Sequence, residues 1–143
     1  MRDNRERIVD DACTAWEAGN ATAALVDFAD DVVFSVHAPE PAASVVGCGQ
    51  GKAELARRLG AYLDNIQVRY YEVLRIVVRR DGTLRSSVRF IYRHKREPFE
   101  IEGTMSHVWR FAGDKVVRFE IYYDALRMRA FYDLVADHSD RRA

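Results

Sequence analysis

At 143 residues with a 48% hydrophobic fraction, the chain suits one packed domain with a sizeable core. Lys+Arg 22 against Asp+Glu 22 gives a formal net charge of +0, which removes the global positive field that nucleic-acid binders carry. The charged start MRDNRERIVDDA reads as neither a signal peptide nor a membrane span. Cys13 and Cys48 stand without a CxxC or Cys/His cluster, so no metal centre and no disulfide framework is expected, and the cytoplasm is the default compartment.

Asp3 followed by Glu6 has the spacing of a helix capping box. Behind it Ile8, Ala12, Ala15 and Trp16 share a helical face, and Gly19 supplies a stop. Asn20 caps a short second helix with Ala24, Leu25 and Phe28 as its buried stripe, ended by Asp30-Asp31. Val32 to His37 then alternates as a strand. Ala38 to Gly51 holds Pro39, Pro41, Gly47, Gly49 and Gly51 and reads as an irregular connection, long enough to be functional. Its GxGxG run lacks the Lys-Ser/Thr pair and the preceding parallel strand of a phosphate loop. From Lys52 a third helix places Leu55, Leu59, Tyr62 and Leu63 on one face, until Asp64-Asn65 turns the chain.

Ile66 to Tyr123 reads as long antiparallel strands. In the first, Ile66, Val68, Tyr70, Glu72, Leu74, Ile76 and Val78 are expected inward, and Arg69, Tyr71, Val73, Arg75, Val77 and Arg79 outward. Asp81-Gly82 signals a hairpin. A three-residue loop ending at Thr83 would set Leu74 opposite Phe90, matching apolar with apolar, and would let Tyr92 face Glu72. The next strand turns Val88, Phe90, Tyr92 and His94 inward, and the one after it Phe99, Ile101, Gly103, Met105, His107, Trp109 and Phe111. The last strand offers Val117, Phe119, Ile121 and Tyr123, which sets His107 opposite Ile121. Asp124 caps a C-terminal helix in which Leu126, Ala130 and Leu134 recur, and the end from Asp137 is expected to fray.

The pattern is α+β, with a curved antiparallel sheet wrapped around the N-terminal helices and a C-terminal helix added. Inner positions this uniformly large call for a curled sheet with an internal pocket. Its expected walls are Trp16, Phe34, Val36, Tyr62, Glu72, Phe90, Tyr92, Met105, Trp109, Phe119 and Ile121. The outer face mixes Tyr71, Val73, Val77, Ile91, Val108 and Tyr122 with charges that can pair across strands. It reads as a homodimer surface, or else as an ordinary solvated face.

AWEAGN followed by ALVDFADDVVF, the segment GCGQGKAELARRL, and the closing SHVWRF and GDKVVRFEIYYD resemble the SnoaL-like branch of the NTF2-like superfamily, over nearly the whole chain. The resemblance implies an NTF2-like cone with a deep pocket, usually a homodimer, acting without metal or organic cofactor. That superfamily includes ketosteroid isomerase, polyketide cyclases, scytalone dehydratase and limonene-epoxide hydrolase. Where the isomerase pattern has a tyrosine, an aspartate base and a second acid, this chain has Ala12, Val36 and His107. The epoxide-hydrolase pattern needs an inward Arg-x-Asp and another Asp on the last strand, where Ile121 stands. Neither of those two mechanisms is expected.

His107 is the first candidate catalytic group, because an imidazole breaks the apolar register between Met105 and Trp109. Tyr123 and Asp124 follow it, Asp124 with the simpler alternative of a helix cap. Glu72 with Tyr92, His94 and His37 rank lower. The expected ligand is a mainly apolar small molecule (polyketide, steroid-like, terpenoid or acyl), either merely held or turned over by cofactor-free isomerase, cyclase or dehydratase chemistry. A non-catalytic dimeric carrier or accessory module with a filled cavity is the alternative. No nucleic acid or membrane partner is expected.

Overall fold

A computed structural model describes residues 4–37 and 47–142. Asp3 of the expected capping box, and the connection up to Val46, lie outside them. The helix read from Ile8 and Trp16 is α1 (Asn4–Glu17), and it buries Ile8, Val9, Ala12, Cys13 and Trp16. It ends in a Schellman turn: Asn20 N–H donates to Ala15 O, Gly19 N–H to Trp16 O, and Gly19 takes φ 77°. Asn20 then caps α2 (Ala21–Ala24) by accepting from Ala23 N–H.

The second helix is shorter than its stripe predicted. Phe28 already belongs to β1 (Phe28–His37), and Asp30-Asp31 lies within that strand, where the pairing is irregular. The supposed irregular connection closes with a short strand, β2 (Gly47–Gln50), antiparallel to β1. Gly49 sits there because a Cβ at that position would lie 2.4 Å from Phe34 Cζ. Next comes α3 (Lys52–Leu63), which buries Leu55, Leu59 and Tyr62 as its spacing predicts.

Four long strands follow: β3 (Ile66–Val78), β4 (Leu84–His94), β5 (Glu100–Ala112) and β6 (Lys115–Tyr123). The sheet order is β2-β1-β6-β5-β4-β3, so β1 and β6 are neighbours. They run parallel, and this one pair departs from the expected all-antiparallel pattern. The core lies in the hollow of the sheet, where α1 and α3 meet Val88, Phe90, Tyr92, Met105, Trp109 and Phe119. On the outer face Arg69 pairs with Glu100 at 2.8 Å and Arg89 with Glu102, which are the cross-strand charge pairs foreseen.

The β3–β4 hairpin has a loop of the expected length in a shifted place. Arg79 N–H donates to Thr83 O, Gly82 takes φ 85°, and Val78 pairs with Leu84. Two bulges then alter the ladder, between Val73 and Arg75 and between Val68 and Tyr70. Each adds one residue to β3, so the four positions between them, Tyr70 to Val73, have inverted facing. Phe90 therefore pairs with Tyr71 rather than Leu74, and Tyr92 with Val68 rather than Glu72. Leu74 and Glu72 are exposed, while Ile76 beyond the second bulge returns to the expected side. Edge strands commonly carry such bulges. Here the edge is also covered, since Tyr71 N–H donates to Glu17 of α1 at 2.8 Å.

The closing helix, α4 (Ala125–Arg142), is capped by Asp124, whose Oδ1 accepts from Arg127 N–H. It buries Met128 and Phe131 and leaves Leu126 and Leu134 exposed, so the four-residue spacing picked the wrong stripe. It stays helical past Asp137, with the His138 ring 2.5 Å from buried Glu97 and edge-on to Phe99.

Candidate functional site

Inside the cone is a cavity of about 40 Å³, walled by Trp16, Leu59, Tyr62, Tyr71, Tyr92, His107, Trp109, Phe119, Ile121 and Tyr123 among others. At roughly 10–15 Å³ per water this is room for on the order of three waters, so a ring-sized ligand enters only as the walls part. α4 meets this wall at Tyr62, whose Oη accepts from Tyr132 Oη at 2.6 Å.

His107 is 2% exposed and opposite Ile121, as the alternation predicts. Both ring nitrogens are engaged: Nδ1 lies 3.1 Å from Ser86 Oγ and Nε2 lies 3.0 Å from Tyr71 Oη. Trp109 Nε1–H donates to Ser86 Oγ at 2.9 Å, and Tyr71 Oη–H points to Met105 Sδ at 3.1 Å. These contacts fix a polarity. Ser86 accepts from Trp109 and gives its own proton to Nδ1, leaving the His107 proton on Nε2 to donate to Tyr71. We assign this tautomer because it uses every donor in the chain; the reverse one would leave Met105 without a partner. Burial without a compensating carboxylate lowers the His107 pKa to about 3, so the imidazole is neutral across the physiological range. In this structure the ring is neutral and both of its nitrogens are held in hydrogen bonds.

Phenols surround it. Trp16 Nε1–H donates to Tyr92 Oη at 3.0 Å, and Tyr92 is the hydrogen-bonding neighbour of Tyr123. Burial raises all of these phenols, Tyr123 to about 12 and Tyr62, Tyr71 and Tyr92 well above the ordinary value. The Cys13 thiol, which lines the same cavity, rises to about 12 for the same reason. The wall thus consists of apolar groups and protonated donors.

Of the residues expected from sequence, the cavity gathers His107, Tyr123, Trp16, Tyr62, Tyr92, Trp109, Phe119 and Ile121. Phe34, Val36, Phe90 and Met105 are buried behind that lining; the Phe34 ring packs under the Arg58 guanidinium at 5.1 Å. Glu72 is excluded, since the bulge turns it to solvent. Asp124 is exposed and acts as the cap of α4. His94 accepts from the Arg96 and Glu97 amides at the β4–β5 turn, and His37 stacks on Tyr122 outside, with ring centroids 4.4 Å apart. Sequence reasoning missed Tyr71 and Ser86. Ser86 shares the parity of Val88, Phe90 and Tyr92 and was findable; Tyr71 gave no signal, because simple alternation turns it outward.

Among the described residues no group of three or more His, Cys, Asp or Glu side chains could hold a metal ion, and no helix is long and apolar enough to cross a membrane.

A family model described as a SnoaL-like domain matches residues 9–119. A search of curated proteins finds no match. Solved structures share the fold. An NTF2-like protein of unknown function from Burkholderia pseudomallei superposes with TM-score 0.79 at 17% identity, covering 92% of this chain and 98% of that one. A Bacillus subtilis protein for which an isomerase role has been suggested gives TM-score 0.80 at 13% identity, covering 91% and 93%. A SnoaL-like polyketide cyclase candidate from Mesorhizobium loti gives TM-score 0.65 at 18% identity, covering 82% and 97%. With a family match across most of its length and a sheet of NTF2-like form around an inner cavity, this chain belongs to the SnoaL-like family.

Proposed function

We propose that the cavity binds a small, mainly apolar molecule (polyketide, steroid-like, terpenoid or acyl in kind) and carries out cofactor-free proton transfer of the isomerase, cyclase or dehydratase class. The observation that supports this reading is the Tyr71–His107–Ser86 chain, which ends on an apolar cavity. In the proposed step Tyr71 keeps its proton and donates a hydrogen bond to an oxygen of the bound molecule as charge develops there. His107 Nε2–H in turn donates to Tyr71 Oη and Ser86 Oγ–H to Nδ1, so the chain strengthens the Tyr71 donor without giving up a proton, and the proton that moves is the bound molecule's own. Tyr123 is the second donor, placed one inward position along β6 from Ile121. Preset donors in a site closed to water act where charge appears, which is the usual source of the largest rate effect.

A second reading is a carrier or accessory module that holds its ligand without turning it over. It is favoured by the saturation of His107, whose ring nitrogens both have partners and whose charge is suppressed. Native mass spectrometry of the purified protein, paired with a screen of enones and β-hydroxy ketones, separates the two. Turnover abolished by Tyr71→Phe and by His107→Ala supports the enzyme. A co-purifying apolar ligand without turnover of any of these substrates supports the carrier.

We further propose a homodimer through the outer sheet face, where Val77, Val108 and Tyr122 line a groove of about 640 Å³ with Arg75, Arg79 and Arg85. The free thiols of Cys13 and Cys48 suit a reducing compartment, and we assign the protein to the cytoplasm.

A further inference from the structure

We infer that the cavity selects an uncharged ligand and holds it by an acceptor oxygen, as in a ketone, quinone or lactone, which takes the Tyr71 proton in place of the Met105 sulfur. The inference rests on the binding reading above and deepens it by naming the ligand's polar group.

The first support is the wall itself. None of its described residues is Asp, Glu, Lys or Arg. An ionised carboxylate or ammonium drawn inside would lose its hydration and meet no counter-charge, which is costly in an apolar setting. His107 does not supply the missing cation, because burial keeps it neutral.

The second support is the direction of the hydrogen bonds. Three phenol oxygens of the wall are already acceptors: Tyr62 from Tyr132 Oη, Tyr92 from Trp16 Nε1, and Tyr71 from His107 Nε2. These three oxygens each hold a donor already, while the Tyr71 proton has only a sulfur as its acceptor. A ligand that donates, such as an amine, would compete for occupied positions, whereas one that accepts would find waiting donors.

The third support is the poor match at the end of the chain. The Tyr71 proton rests on a thioether sulfur, a weak acceptor, at 3.1 Å. Exchanging sulfur for a carbonyl oxygen strengthens that bond without disturbing Trp109, Ser86 or His107 behind it. Ser86 is then a positioning residue, since its proton on Nδ1 is what sends the His107 proton toward Tyr71.

The test uses four probes on one skeleton: acetophenone, ethylbenzene, benzoate and 1-phenylethylammonium, titrated calorimetrically into the full chain at pH 7.5. Acetophenone should bind about tenfold more tightly than ethylbenzene, the size of one well-made hydrogen bond, and both charged probes more weakly than ethylbenzene. Tyr71→Phe, checked for folding by its thermal melt, should bring acetophenone down to the ethylbenzene level. Met105→Leu, which removes the competing acceptor, should tighten acetophenone alone. Benzoate or the ammonium binding as tightly as acetophenone would overturn the inference. So would equal binding of acetophenone and ethylbenzene, which leaves the apolar cavity standing. Absence of binding by all four, ethylbenzene included, would instead sink the cavity reading and this inference with it.

Discussion

The Tyr71 hydroxyl lies 3.0 Å from His107 Nε2, although the two residues are 36 positions apart and simple alternation puts them on opposite faces of the sheet. Their contact turns a lone buried imidazole into the middle of a chain running from Trp109 through Ser86 to the cavity. Breaking it near its start should cost more than trimming its end. Ser86→Ala strands the Trp109 indole N–H and leaves Nδ1 without its donor, a loss of about 2–3 kcal/mol from unsatisfied buried groups. Tyr71→Phe removes one bond at the cavity side and should cost about 1 kcal/mol. Urea unfolding of both variants at pH 7.5 measures the difference, and an equal cost for the two would argue against the chain.

Acid stability follows from the same imidazole. The folded His107 pKa, about 3, lies below the ordinary histidine value of roughly 6.5, so the unfolded chain binds the proton first. The contribution is complete above pH 6.5 and is lost steadily as pH falls toward 3. Between pH 7 and pH 5 the loss should reach about 2 kcal/mol, before most carboxylates titrate. His107→Gln, compared with the parent by urea unfolding at the two pH values, should lack that slope. A parent protein equally stable at both would contradict the burial of a neutral ring.

Gly49 and Phe34 make a separate packing prediction. A methyl at Gly49 would meet the Phe34 ring edge at 2.4 Å and 2.8 Å, so the ring or strand β2 must shift. Gly49→Ala should destabilise by about 1–3 kcal/mol, the ordinary cost of overpacking, whereas Gly60→Ala on α3, with nothing within 4 Å of its added Cβ, should not. Thermal melts of the two variants provide the comparison.

The proposed dimer is tested on the groove around Val108 and Tyr122. Light scattering at micromolar concentration should give twice the chain mass of 16.4 kDa, and Val108→Asp with Tyr122→Asp should halve it. A parent protein already at 16.4 kDa would end the dimer reading.

The order and type of most elements were legible in the sequence because they rest on periodicity. The α1 and α3 stripes, the β5 alternation and the placement of His107 all follow from it. What escaped were features periodicity does not encode. Phe28 joins a strand because tertiary pairing with β6 outweighs the local helical spacing. Met128 and Phe131 take the place of Leu126 and Leu134 as the buried stripe of α4, since either stripe satisfies helical geometry and the spacing alone does not choose between them. Tyr71 was misplaced by bulges, which leave no mark in a strand rich in apolar residues on both faces. Of the site, the walls were readable one residue at a time, whereas the hydrogen-bonded chain needed the register.

The paired bulges of β3 have a consequence for how this protein tolerates change in length. The strand behaves as a text with two compensating frameshifts, so the stretch from Tyr70 to Val73 is out of frame with what precedes and follows it. Deleting Arg69 should leave Val68 opposite Tyr92 and Tyr71 opposite Phe90, because the lost residue is the one the ladder already skips. Inserting a residue between Tyr71 and Val73 has no such shelter and would move the frame of one flank. The cavity can therefore survive a deletion at its edge, an event that ordinarily ruins a strand.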